Sequence, residues 1–434
     1  MATLTEFLRR DSKHRPFMFA TGLECSYPTI TDQHGQRVRM DEYEKTGHYA
    51  RWKEDFGLLK EMSIRFLRYG VPYYRVHLGP GRYDWSFVDQ TYHALHEQGV
   101  TPIADLCHFG LPDWLESFEN PAFPEHFAEF AAAFARRYPW VMLFTPVNEI
   151  RIACEFSALM GFWNEQEASD HAYVRALACC ARATILAEEA ILKVRPEAAF
   201  VQSEATGYFH AEGPSALDRT HFLNERRFLS LDLCYGKDVS GSMYTYLMEN
   251  GMTPGEYRWF MEHGQRLTPV CVMGNDYYGT NEHMVPAEDG ALYPAGPVYG
   301  YYVLTRQYFD RYQLPVMHTE TNQLGSQDAV HWLRNQWLCL IKLKEDGVPL
   351  VGFTWYSLVD QVDWDSALRV NAGHVDPLGL YDLDRHIRPV GQKYREIIRE
   401  WRDILPMESR RLDTRAKIGL HRPGTKDKPP HPRI

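Results

Sequence analysis

The sequence predicts a single (β/α)8 barrel, and three observations carry that prediction. Short apolar runs alternate with longer amphipathic stretches eight times along the chain, the signature of a parallel sheet wrapped by helices. Several of these runs end in a polar or charged residue, as strands do when their C-terminal tips form the mouth of a barrel. A length of 434 residues suits one barrel with insertions, a class that can exceed roughly 400 residues. The rival architecture is an open doubly wound sheet. No glycine-rich fingerprint follows the first apolar run, which argues against the dinucleotide-binding version of that fold.

The elements follow in order. Residues 17–22 form the first strand, and 29–46 read as a loop. Tyr49, Trp52, Phe56 and Leu59 stand at helical spacing within 47–62. A second strand over 64–70 contains Arg68, and a helix covers 85–98. The third strand, 101–107, runs into His108-Phe109-Gly110, and a helix covers 124–138. The fourth strand is the apolar run 141–147, which ends in Asn148-Glu149. A long helix spans 170–194 and a fifth strand 198–204. Between 205 and about 268 the pattern loosens into polar helices and turns, read as an insertion on the top face. A sixth strand over 269–273, a helix over 301–312, a seventh strand over 315–319 and a helix over 327–346 follow. An eighth strand over 350–357 and a closing helix over 389–404 complete the set. The expected division is a barrel over 1–408 and a basic, Pro-rich extension over 409–434, read as a solvated surface segment.

Composition narrows the function classes. The net charge of −10 argues against a general nucleic-acid partner. The eight cysteines are scattered without a CxxC pair, so buried free thiols in a reducing compartment are expected. No run reaches the roughly 18 apolar residues of a membrane span, and Met1–Arg15 lacks an apolar leader core. A soluble, cytoplasmic protein is the expectation. His48, His77, His108 and His318 show no HExxH or other close ligand spacing, so no metal and no cofactor is expected. Aromatic residues make up 14% of the chain; that excess serves core packing or sugar-binding clefts equally well.

The residues at strand tips carry the chemistry. The dipeptide Asn-Glu occurs at 148–149, 164–165, 224–225 and 281–282, but only the first follows a clean apolar run. Glu320 closes the seventh run in the same manner, and Glu204 closes the fifth. Any one of them reads equally well as a salt-bridged strand-end carboxylate. Three on one rim make a cleft of carboxylates. Cleaving a glycosidic bond requires one protonated carboxyl for the leaving oxygen and one ionised carboxylate for the anomeric carbon. Arg68 is a cation that could keep one of them ionised.

These segments resemble the retaining β-glycosidases of glycoside hydrolase family 1. Thr145-Pro-Val-Asn148-Glu149 is similar to that family's Thr-Phe/Leu-Asn-Glu-Pro, and His318-Thr-Glu320-Thr-Asn322 to its Ile/Val-Thr-Glu-Asn-Gly. Leu106-Cys-His108-Phe-Gly-Leu-Pro112 resembles Tyr-His-Trp-Asp-Leu-Pro. Arg68-Tyr-Gly70 stands for Arg-Phe-Ser, and Trp355-Tyr-Ser-Leu-Val-Asp-Gln-Val-Asp363-Trp364 for Trp-Ser-Leu-Leu-Asp-Asn-Phe-Glu-Trp. The likeness runs in order from about 17 to 400.

The resemblance implies roles. Glu149 is the acid/base and Glu320 the nucleophile. Asn148 and His108 hold sugar hydroxyls. Arg68 and either Tyr277 or Tyr278 steady the nucleophile. Tyr356 or Trp355 forms the aromatic floor, and Trp364 flanks the glycone. Two departures alter the pocket: Asp363 replaces a Glu that holds the far hydroxyls of glucose, and Glu24 stands near the place of a Gln. The expectation is retaining hydrolysis of a β-linked small glycoside or oligosaccharide with a changed glycone pocket. A transglycosidase and a non-catalytic sugar-binding barrel remain as rivals. The sequence is silent on oligomeric state.

Overall fold

The computed structural model describes residues 17–288 and 290–405; the extension expected over 409–434 lies outside them. Eight strands close a parallel barrel: β1 (Met18–Gly22), β2 (Phe66–Gly70), β3 (Thr101–Asp105), β4 (Leu143–Thr145), β5 (Ala199–Ala205), β6 (Cys271–Asp276), β7 (Val316–Glu320) and β8 (Leu350–Trp355). Each pairs in parallel with its sequence neighbours, and β1 closes the ring against β8. Outside run α1 (His48–Met62), α2 (Ser86–Gln98), α3 (Phe123–Arg137), α4 (Asp170–Val194), α5 (Pro254–Leu267), α6 (Gly300–Tyr312), α7 (Ser326–Glu345) and α8 (Pro389–Trp401).

Two cores follow from strand alternation. Met18 and Ala20 point into the barrel and join Phe66, Ile103, Leu143, Val201, Val272, Met317 and Val351 in a closed plug. Phe17 and Phe19 point outward into the helix layer, where Phe19 stacks on Trp337 of α7 at 5.5 Å between ring centroids. Apolar residues on both faces explain why the strands read as runs rather than as strict alternation.

Most boundaries move by one to three residues from the sequence expectation, and three differences have a local physical cause. The fourth strand is three residues long rather than seven, because Pro146 has no N–H to donate to a ladder. Beyond it, the Asn148 N–H still reaches the Cys107 carbonyl at 2.9 Å, and the Glu149 N–H reaches that of Ser203 at 3.0 Å. The sixth strand begins later and runs on through Asn275 and Asp276, since Thr268–Val270 form a 3-10 turn. The stretch 29–46 is not all loop: Thr29–Thr31 pairs with Arg37–Arg39, and a helical turn follows over Glu42–Lys45. The Asp41 carboxylate starts that turn by accepting from the Tyr43 and Glu44 N–H groups. Between β5 and α5 lie helices over Leu217–Arg226, Leu229–Tyr235 and Gly241–Glu249. Strand Tyr208–Ala211 pairs in parallel with Glu282–Val285, linking the loops that leave β5 and β6.

The loop after β8 is anchored by a buried ion network. The Arg385 Nε–H donates to Asp55 Oδ1 at 2.8 Å, and His48 Nδ1 meets Asp55 Oδ2 at 2.7 Å. His48 Nε2 lies 2.9 Å from the Tyr69 hydroxyl on β2. Arg385 and Asp55 are both almost fully shielded from solvent. Removing one member of such a pair leaves a buried charge unmatched, which costs about 3–5 kcal/mol. Arg385→Ala is therefore expected to lose that much in equilibrium urea unfolding. A loss below about 1 kcal/mol, the range of an exposed pair, would show that the network does not carry the loop.

Candidate active site

The C-terminal tips of the strands bring the polar residues to one end of the barrel. Arg68 on β2 is buried, and its guanidinium faces three strand tips. Nη1 donates to Glu320 Oε1, while Nη2 donates to Asn148 Oδ1 at 2.8 Å and to Asp105 Oδ2 at 3.3 Å. The second Glu320 oxygen, Oε2, accepts from the Tyr278 hydroxyl at 2.7 Å. Both oxygens of Glu320 are thus placed as hydrogen-bond acceptors toward donors.

Glu149 stands in a different setting. It turns the chain from β4 into the short helix Ile150–Cys154 with a left-handed φ of 41°, a region non-glycine residues rarely occupy. One oxygen each from Glu149, Asp276 and Glu320 lie within 4.8 Å of one another. Burial, and then the charges of Asp276 and Glu320, push the Glu149 carboxyl well above its ordinary value. Arg68 already supplies the positive charge beside this trio, so the group calls for protons rather than for another cation.

Behind the pair, His108 Nδ1 meets Asp105 Oδ2 at 2.7 Å and the Asn148 amide lies 3.2 Å from its Nε2. Tyr356 lies parallel to His108 at 6.2 Å, with the Arg68 guanidinium 5.5 Å from its ring centre. Gly22 makes room for that ring: a Cβ there would fall 2.1 Å from Tyr356 Cε2. Glu24 is buried with its carboxyl raised by desolvation, and it accepts from the Ser26 N–H at 2.8 Å and from Gln361 Nε2 at 3.4 Å.

A cavity of about 1010 Å³ opens onto this end, and Glu24, His108, Glu149, Tyr278, Glu320 and Trp364 line it. Asn148, Arg68 and Tyr356 support that lining through the contacts above. Three sequence candidates stand elsewhere. The Tyr277 hydroxyl donates to Glu282 Oε1 at 2.8 Å and its ring stacks on Trp332, so of the two adjacent tyrosines only Tyr278 reaches Glu320. Trp355 is wholly buried and its indole N–H donates to the Leu378 carbonyl at 3.0 Å, which leaves the floor position to Tyr356. Asp363 is occupied by Lys45 Nζ at 2.8 Å and by the Gly373 and His374 N–H groups. Glu204 also turns away, holding the Arg151 N–H at 3.2 Å, and burial pushes its carboxyl up to about 7.

Two residues of the site escaped the sequence reading. Asp276 was outside the expected sixth strand, and Asp105 was an interior residue of the expected third. Asp105 directly follows the apolar pair Ile103-Ala104, while Gly274 and Asn275 separate Asp276 from its apolar run. At the rim, Asp365, His374 and Asp376 also gather, with two of the three open to solvent.

Comparison with known proteins agrees with this geometry. Residues 28–220 match the model of glycosyl hydrolase family 1. The 6-phospho-beta-glucosidase AscB of Escherichia coli is 22% identical over 377 residues, spanning 75% of this chain and 78% of that protein. Beta-glucosidase A of Thermotoga maritima is 21% identical over 362 residues, spanning 73% and 78%. A solved structure of a Thermotoga maritima beta-glucosidase, in complex with azafagomine, superposes with a TM-score of 0.75 at 17% identity, covering 90% of this chain and 99% of that one. A family model matched over residues 28–220, relatives that span most of the chain, and one closed barrel point the same way: this chain is glycosidase-like and similar to the β-glucosidases of glycosyl hydrolase family 1.

Proposed function

We propose that the chain hydrolyses a β-linked glycoside with retention, Glu320 acting as nucleophile and Glu149 as acid/base. The observation that carries this reading is the unequal environment of two glutamates whose oxygens come within 4.8 Å. Glu320 has a guanidinium and a phenol on its oxygens; Glu149 has burial and like charge. A close approach of this kind suits the retaining separation of about 5–5.5 Å better than the about 6.5–9.5 Å of an inverting pair.

The chemistry then runs in two steps. Glu320 attacks the anomeric carbon as the bond to the aglycone oxygen breaks and Glu149 gives that oxygen its proton. A glycosyl ester on Glu320 remains. Water next attacks the same carbon, loses its proton to Glu149, and releases Glu320 as carboxylate. Ile152 and Phe156, on the turns that follow Glu149, line the cavity with apolar surface, which suits an aryl or other apolar aglycone. With Asp363 engaged by Lys45, the polar groups left for the glycone are Glu24, His108 and Gln361. This altered set is why the glycone is sought among several β-sugars, free and 6-phosphorylated, rather than assumed to be glucose.

The test is a panel of aryl β-glycosides followed by NMR of the first product. Retention delivers the β-anomer before mutarotation; an α-anomer would refute the double displacement. Glu320→Gln is expected to lower kcat by at least about 1,000-fold, as loss of a nucleophile does, and unchanged turnover would remove Glu320 from its role. Tyr278→Phe deletes one hydrogen bond to a charged group, worth about 1.5–3 kcal/mol, so kcat/KM should fall about 10- to 100-fold. The acid must be protonated to work, and the Glu149 carboxyl is raised. Activity should therefore persist above the ordinary carboxyl range and fall as pH rises through that raised value, a limb that Glu149→Gln abolishes in kcat/KM.

A further inference from the structure

The double displacement uses two carboxyls, and the floor of the cleft holds a third. Asp276 ends β6 and pairs in register with Glu320 at the end of β7. It is completely buried and stands behind the cavity lining. Its Oδ2 accepts from the Ser203 hydroxyl at 2.6 Å, while Oδ1 is buried without a hydrogen-bond partner. We propose that Asp276 is a positioning residue that keeps a resident proton throughout turnover, so that it does not compete with Glu320 for the Arg68 guanidinium. The proposal rests on the glycosidase reading for its purpose but not for its test.

The groups around Asp276 make the argument. Glu320 and Thr319 face it from β7, Arg68 from β2, Ser203 from β5, Glu149 from beyond β4, Tyr278 from the loop after β6 and Tyr301 from α6. Arg68 is the cation among them, and its Nη1 is spent on Glu320. Three carboxyl groups within 4.8 Å of one another cannot all ionise beside Arg68, which Asp105 also draws on, and His108, which acts on Glu149. A buried charge with no donor on one oxygen is costly; a proton removes the charge, and the Thr319 hydroxyl, itself without a hydrogen-bond partner, stands beside the same carboxyl. Burial and the charge of Glu320 push the Asp276 carboxyl up to about 8. A neutral Asp276 leaves Arg68 to Glu320; an ionised one would compete for it and drive Glu149 still higher.

That last point gives a readout that a purely structural role would not move. Asp276→Asn is a neutral isostere. If Asp276 is protonated in the native enzyme, the alkaline limb of kcat/KM stays in place or moves up, whatever the size of kcat. If Asp276 is ionised, removing its charge lowers the Glu149 pKa, and a downward move of half a unit or more overturns the proposal. The proton can also be read without turnover. In whole protein carrying aspartate-selective 13Cγ label, one resonance should remain in the protonated form at neutral pH and vanish in Asp276→Asn. Should that variant not fold, Ser203→Ala identifies the same resonance, because losing a donor to the carboxylate moves its titration upward. No protonated aspartate at neutral pH refutes the resident proton. Inactivity toward every glycoside, with the resonance present, would count against the glycosidase mechanism instead.

Discussion

The buried guanidinium of Arg68 is the interaction on which the rest of the structure depends. A cation taken out of water must be met by anions and acceptors on nearly every side, or its burial cannot be sustained. Here Glu320 from β7, Asp105 from β3 and Asn148 from the segment after β4 meet it, while Arg68 itself belongs to β2. The contact with Glu320 crosses the barrel mouth from β2 to β7, which are not neighbours in the sheet. Electrostatic satisfaction of a single side chain therefore holds several strand tips at fixed positions, and those are the tips that carry the candidate machinery.

From that one charge follows an asymmetry between residues of the same type. Glu320 takes the guanidinium and a tyrosine hydroxyl. Glu149, with its oxygen within 4.8 Å of Glu320, receives the repulsion of its neighbours instead. Environment rather than residue identity divides an acid from a nucleophile. The left-handed turn at Glu149 belongs to the same division, since it aims the carboxyl into the cavity while the backbone stays tied to Ser203.

How much of this was legible in the sequence depended on which signal each element offers. The long helix Asp170–Val194 was read to the residue, because Ser169 caps it and apolar residues recur at helical spacing over 25 positions. Strand cores were visible as apolar runs. Strand ends were not: Asn275 and Asp276 belong to β6 through backbone pairing with Glu204 and Ala205 on β5 and with β7, which no local pattern announces. Pro146 ended β4 early for a reason visible in the sequence, its missing N–H, which the apolar run concealed. Between Tyr277 and Tyr278 the sequence could not choose, since both leave the same strand tip. The choice is made by Glu282, which takes the first hydroxyl, and by Glu320, which takes the second.

The loop after β8 shows how recognition of the sugar can change while the strand tips stay as they are. A glutamate reduced to aspartate loses one methylene of reach, and Asp363 spends the carboxylate on Lys45 and on two backbone N–H groups of its own loop. Lys45 in turn reaches Asp363 only because the turn Glu42–Lys45 is set by the Asp41 cap after the hairpin at 29–39. The N-terminal excursion and the β8 loop thus form one wall, built from segments that supply no hydrogen-bond acceptor to the Arg68 guanidinium. In a barrel whose loops are carried on rigid strands, such a wall can be rebuilt at small cost to the chemistry, and the direction of rebuilding is set by charge. Lys45 is held by Asp363, while Glu24 and Glu42, both buried, add acidic groups to the same wall.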